Sequence, residues 1–129
     1  MSELKLIIDS YYESIRLVQS NTRVKEQVQA RAAIMTALRR YKTTIAIADA
    51  FGMDHSTVVY HEHNHEANMS SWPGYDDKFF LARRMCDKTL RFKSLEQKLK
   101  SIKIEISRLK NLEQRLNEHI TEKNQLTDE

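Results

Sequence analysis

The chain has 129 residues, 40% of them hydrophobic and 30% charged, with a formal net charge of +3; this suits a soluble protein of one domain plus an extension, and the charge alone is too small to argue nucleic-acid binding. Two glycines and one proline leave little room for hairpins, so the expected fold class is all-α. The single cysteine, Cys86, excludes an internal disulfide, and the N-terminus has neither a basic n-region nor a long apolar run, which points to the cytoplasm and away from secretion or a membrane.

Residues 2–18 place Leu4, Ile7, Ile8, Tyr11, Tyr12, Ile15 and Val18 at helical spacings and predict a packing helix with one apolar stripe. Tyr11 and Tyr12 read as core. Ser20, Asn21 and Thr22 offer capping chemistry for a second helix over residues 23–41, with Val24, Val28, Ala32, Met35 and Leu38 as its inward face. Across residues 16–42 the seven bases Arg16, Arg23, Lys25, Arg31, Arg39, Arg40 and Lys42 are opposed only by Glu26. So one-sided a run reads as a phosphate-contacting face; the competing reading is an ordinary solvated helix surface.

Residues 45–65, IAIADAFGMDHSTVVYHEHNH, carry the offsets of a helix-turn-helix. Two helices meeting at roughly 90–120° across a short turn need a small residue on the first, and Ala48 supplies it. Four residues later the chain must leave that helix in a left-handed conformation, which Gly52 adopts cheaply. Val58 and Phe51 are placed to plug the angle between the helices, and Ile45 and Ile47 add apolar surface. Thr43 or Thr44 can cap the first helix and Asp54 or Ser56 the second. A helical hairpin whose spacing agrees by chance is the alternative.

Within this stretch, ADAFGMDHSTVVYH resembles the signature of the C-terminal double-stranded-DNA-binding domain of the bacterial replication initiator DnaA, the matching core being FG followed by DHSTV. The resemblance implies that Asp54, His55, Ser56 and Thr57 open a recognition helix and reach base edges in the major groove. Their chemistry suits that role, because a helix N-terminus directs N–H groups at phosphate while short polar side chains and an imidazole can address bases. It also implies that Arg23 and Lys25 stand where the family has a basic loop entering the minor groove. Arg31 is grouped with the phosphate contacts, and His63 is expected to face solvent or DNA. The sequence departs from the family at Met53, since an additional turn residue, commonly arginine, usually precedes the Asp. It departs again at His63 and Asn64, which replace bases. No glycine-rich phosphate loop occurs, so the initiator's nucleotide-hydrolysing module is not expected.

His61 and His65 lie four apart in YHEHNHE, with Glu62 and Glu66 nearby. A structural zinc site wants four ligands, usually including cysteine, so no metal is expected and the two histidines read as packing residues. NMSSWPG, residues 68–74, breaks the helix, with Pro73 and Gly74 giving a turn and Trp72 anchoring it. Tyr75, Asp76 and Asp77 then open a long helical pattern, the aspartates complementing its N-terminus. A tyrosine-aspartate pair here also resembles short, stand-alone DnaA-like proteins of Bacteroidetes and their phages.

From Phe92 the spacing tightens to heptads, with Phe92, Leu99 and Ile106 at one seam position, Leu95, Ile102, Leu109 and Leu116 at the other, and Ile120 continuing the pattern. Glu113 interrupts the seam, with Leu112 one residue early. Residues 78–110 hold eleven bases against three acids, a bias that the outer positions of a soluble coil also require.

The architecture expected is a four-helix helix-turn-helix domain over residues 1–74 followed by one long coiled-coil helix over residues 75–129. The function expected is double-stranded DNA binding as a regulator or replication accessory factor. Homodimerisation is expected through Leu95, Leu99, Ile102, Ile106 and Leu109, in a bacterial cytoplasm or, for a phage protein, that of the host. No catalytic set, cofactor or small-molecule substrate is expected. The alternative is an adaptor that assembles through its coil and uses the helix-turn-helix fold for protein interaction.

Overall fold

The computed structural model describes residues 2–127, which are helical throughout apart from turns and short loops. The order is α1 (Glu3–Ser14), α2 (Lys25–Leu38), α3 (Thr44–Phe51), α4 (His55–His63), α5 (His65–Ser71), α6 (Tyr75–Cys86), a π-helical segment (Asp87–Arg91) and α7 (Phe92–Thr127). Among the described residues no helix is long and apolar enough to cross a membrane. The chain forms two compact units, divided after Phe92.

The first unit is built around α2, which packs against α1, α4, α5 and α6. Helices can crowd it from several sides because its middle is small: Ala30, Ala32 and Ala33 are fully buried beside Ile34 and Met35. α1 contributes Ile7, Ile8, Tyr11 and Tyr12, and the Tyr11 hydroxyl donates to the Ala30 carbonyl at 2.8 Å. The helix expected to reach Val18 stops at Ser14, although Ile15 still packs against the core. The chain turns away through Arg16 at φ +56°, leaving Val18 87% exposed. α2 likewise starts at Lys25 and ends at Leu38, inside the expected 23–41, because Ser20 to Thr22 form a loop turn instead of a cap. There the Ser20 hydroxyl accepts from the Thr22 amide.

The break expected near Trp72 is present, and two contacts fasten it to α2: Gln29 Nε2 donates to the Pro73 carbonyl at 2.7 Å, and Lys78 Nζ donates to Gln29 Oε1 at 2.7 Å. Beyond it, Tyr75, Phe79, Ala82, Cys86 and Leu90 are all buried. Residues 75–92 therefore belong to the packed unit and not to the long helix expected from residue 75 onward. The described residues up to 74 hold five helices where four were expected, the segment after the turn dividing at Asn64, whose side-chain amide donates to the Tyr60 carbonyl at 2.8 Å. In the second unit, α7 is a single amphipathic helix, and residues 95–125 are all exposed.

Candidate functional site

The α3–α4 pair has the best-defined local geometry. Thr43 caps α3 by accepting from the Ala46 amide at 3.2 Å. Gly52, at φ +64°, ends it; the Gly52 amide donates to Asp49 O and the Met53 amide to Ala48 O. That paired bonding is the Schellman arrangement, which uses up carbonyls otherwise left without donors. A side chain at this backbone angle would be strained although nothing crowds the site. Asp54 then starts α4 by accepting from the Ser56 amide at 2.9 Å. Ala48, Phe51 and Val58 are buried where the two helices meet, as is Ile47, whereas Ile45 is 63% exposed and adds no core surface.

Burial of Val58 and His61 fixes the other side of α4. Ser56, Val59, Tyr60 and His63 are exposed and fall at i, i+3, i+4 and i+7, one outward stripe of the helix. His55 is also exposed, with Nδ1 3.2 Å from the Asp54 carboxylate, and Thr57 is half-buried. The Asp54 carboxyl is held below its usual range mainly by the Ser56 amide, then by the Ser56 side chain and the neighbouring His55. Its carboxylate thus serves the helix start, while Ser56, His55 and His63 present themselves outward. Val59 and Tyr60 carry no motif of their own, and their only sequence signal is their place on the helical wheel opposite Val58 and His61.

The basic run divides into two groups. Arg31 is 3% exposed and its guanidinium donates to Ser20 O at 3.0 Å and Thr22 O at 3.2 Å. It cannot contact phosphate as expected, because burial has turned it to holding the loop before α2. Arg39 pairs with Glu62 at 2.9 Å and donates to the Lys42 carbonyl. Arg40 lies 3.7 Å from the Asp87 carboxylate, which also accepts from the Tyr41 hydroxyl. Arg16, Arg23 and Lys25 remain exposed and Lys42 half-buried, with no ion pair among the described residues.

Arg23 and Lys25 follow a loop that several contacts hold in place. Gln27 is buried and binds both ways, accepting from the Ser20 amide and donating to Val18 O. Asn21 Nδ2 donates to Phe51 O at 3.1 Å, which ties this loop to the end of α3 and so to the α3–α4 turn. Two groups expected in separate places, the basic loop and the turn, are thereby linked directly.

His61 and His65 have separate structural partners. His65 Nδ1 shares a 2.8 Å hydrogen bond with the Tyr75 hydroxyl, and its ring packs on Phe79. His61 is buried against α2; burial first, and the Arg31 charge second, push its imidazole down to about 4. His61 Nε2, Arg31 Nε and the Tyr12 hydroxyl are buried without hydrogen-bond partners among the described residues. Burial also pushes the Cys86 thiol up to about 12, so it is inert. No group of three or more His, Cys, Asp or Glu able to hold a metal ion occurs among the described residues.

Comparison with protein-family models, with curated proteins and with solved structures finds no match.

Proposed function

We propose that the chain binds double-stranded DNA, with α3 and α4 acting as a helix-turn-helix and α4 as the recognition helix in the major groove. The observation that carries this reading is the outward stripe Ser56, Val59, Tyr60 and His63 on a helix whose N-terminus, with His55 and Thr57, follows a glycine turn. Phosphate and minor-groove contacts fall to Arg23 and Lys25, on the segment tied to the turn through Asn21. The Arg39 pair neutralises Glu62, which would otherwise repel the backbone on this helix. Self-association through Leu95, Leu99, Ile102, Ile106 and Leu109 would join two such units, so the protein acts as a dimeric regulator or replication accessory factor in a bacterial or phage-infected cytoplasm. Selection from random duplex DNA tests it: enrichment of a defined site is expected, and no enrichment at low salt contradicts it.

One observation favours the second reading, an adaptor. The outward stripe of α4 carries no lysine or arginine, and Val59 and Tyr60 are 48% and 65% exposed. Such a surface also suits a protein partner. Salt separates the two, because a duplex bound through several phosphates is released steeply as salt rises.

A further inference from the structure

Helix α7 carries an apolar stripe that nothing within its own unit covers. Eight leucines and isoleucines between residues 95 and 120 are each 45 to 56% exposed, Ile104 lying off the stripe. They form one contiguous apolar stripe, and contiguous exposed apolar surface of this kind marks a site of protein association. The charges beside the stripe are of both signs, Glu96, Lys103 and Lys110 along one flank and Lys98 and Glu105 along the other. A helix of mixed flanks can complement its own copy. Run parallel, Glu105 of one chain, which already accepts from Arg108 of its own helix at 2.6 Å, comes beside Lys110 of the other, and the Lys98–Lys103 pairing is the one like-charged contact.

We propose that α7 pairs with α7 of a second copy as a parallel, in-register, two-stranded coil whose register is set by Glu113. This rests on the self-association put forward above and goes beyond it in orientation and in the role of one residue. The seam positions alternate as Leu99, Ile106, Glu113 and Ile120 at a, and Leu95, Ile102, Leu109 and Leu116 at d. Ile106 and Ile120 at a with Leu109 and Leu116 at d favour two parallel strands, a preference that Leu99 at a with Ile102 at d does not share.

Glu113 gives the stronger argument. In a parallel, in-register pair both Glu113 side chains fall in one layer, walled by Leu109, Leu112 and Leu116 of each chain, and the other layers between residues 95 and 120 stay apolar. An antiparallel pair sets each Glu113 against an apolar residue of the other chain and spoils two layers. Out-of-register parallel pairs do the same. One charged residue in a seam thus weakens the coil while excluding its alternatives, as a lone polar a position does.

The test uses the full chain and two variants. Sedimentation of the parent should give a dimer at tens of micromolar. Ile102→Cys in a thiol–disulfide buffer should form an interchain disulfide, since a d position meets its own copy within bonding range in that arrangement alone; native Cys86 is buried and does not compete. Glu113→Leu should tighten the dimer at least tenfold by replacing the charged layer with an apolar one. A monomeric parent overturns the self-association itself. A dimer without the Ile102→Cys link leaves self-association standing and overturns the parallel register. A linked dimer that Glu113→Leu does not tighten removes Glu113 as the determinant.

Discussion

Helix α2 buries ten of its fourteen residues, whereas α7 leaves every residue from 95 to 125 exposed. In sequence the order of clarity is reversed. α7 has an apolar stripe repeating every 3.5 residues, broken only at Glu113, while α2 has alanine and glutamine scattered around it and only a weak apolar face. A helix enclosed by neighbours needs apolar or small residues on most sides, so its periodicity fades; a helix with one apolar stripe has been given one face to cover and no more. The strong pattern therefore marks where burial is unfinished.

Placing charges at Leu99 and Ile106 is the largest perturbation of that contrast. Apparent affinity for a duplex with two half-sites should fall about 10² to 10⁴-fold, because the second contact stops being intramolecular, while one half-site is still bound and the first unit stays folded. Binding titrations on one-site and two-site duplexes read this; equal losses on both would break the link between coil and site. The packed unit answers to cavity formation instead. Ile34→Ala should cost about 2 to 5 kcal/mol in urea denaturation, against less than about 0.5 for Ile104→Ala on α7.

Acid should act on the first unit. His61 is held down at about 4, so the unfolded chain binds its proton more readily than the folded one. Stability is then complete above pH about 6.5 and lost as pH falls toward 4, by about 2 kcal/mol between pH 6.5 and 5. His65, also lowered by burial, adds in the same direction. Denaturation midpoints of the parent and of His61→Gln check this: the parent should lose stability over that interval and the variant should lose less.

The smallest effect concerns base reading. His55→Ala or Thr57→Ala should cost about 1 to 3 kcal/mol on the selected duplex and little on random duplex. Competition binding measures the difference, and equal losses on the two duplexes would show that these side chains do not read bases.

Much of the local structure of α3 and α4 was legible because each residue's options are narrow: Gly52 leaves α3 left-handed, and Ala48, Phe51 and Val58 are buried. What the sequence hid depended on direction or on distant partners. Ile45 and Ile47 are equally apolar, and only packing sends Ile47 inward. Arg31 looks like any other base in the run until the loop carbonyls of Ser20 and Thr22 claim its guanidinium. Residues 75–90 carry apolar residues at steps of three and four, as the coil does, so periodicity alone could not tell a helix packed on α2 from one awaiting a partner. The division falls at Asn64, whose backbone and side-chain amides both donate to the Tyr60 carbonyl, a feature that no apolar pattern records.

The salt dependence of duplex binding tests DNA recognition by this chain most directly. With the full chain on the selected duplex, log affinity should fall linearly with log salt, and neutralising Arg23 and Lys25 together should flatten the slope by up to about two units, equally for selected and random duplexes. Absence of duplex binding at low salt, or an affinity indifferent to salt, would contradict it and leave the adaptor.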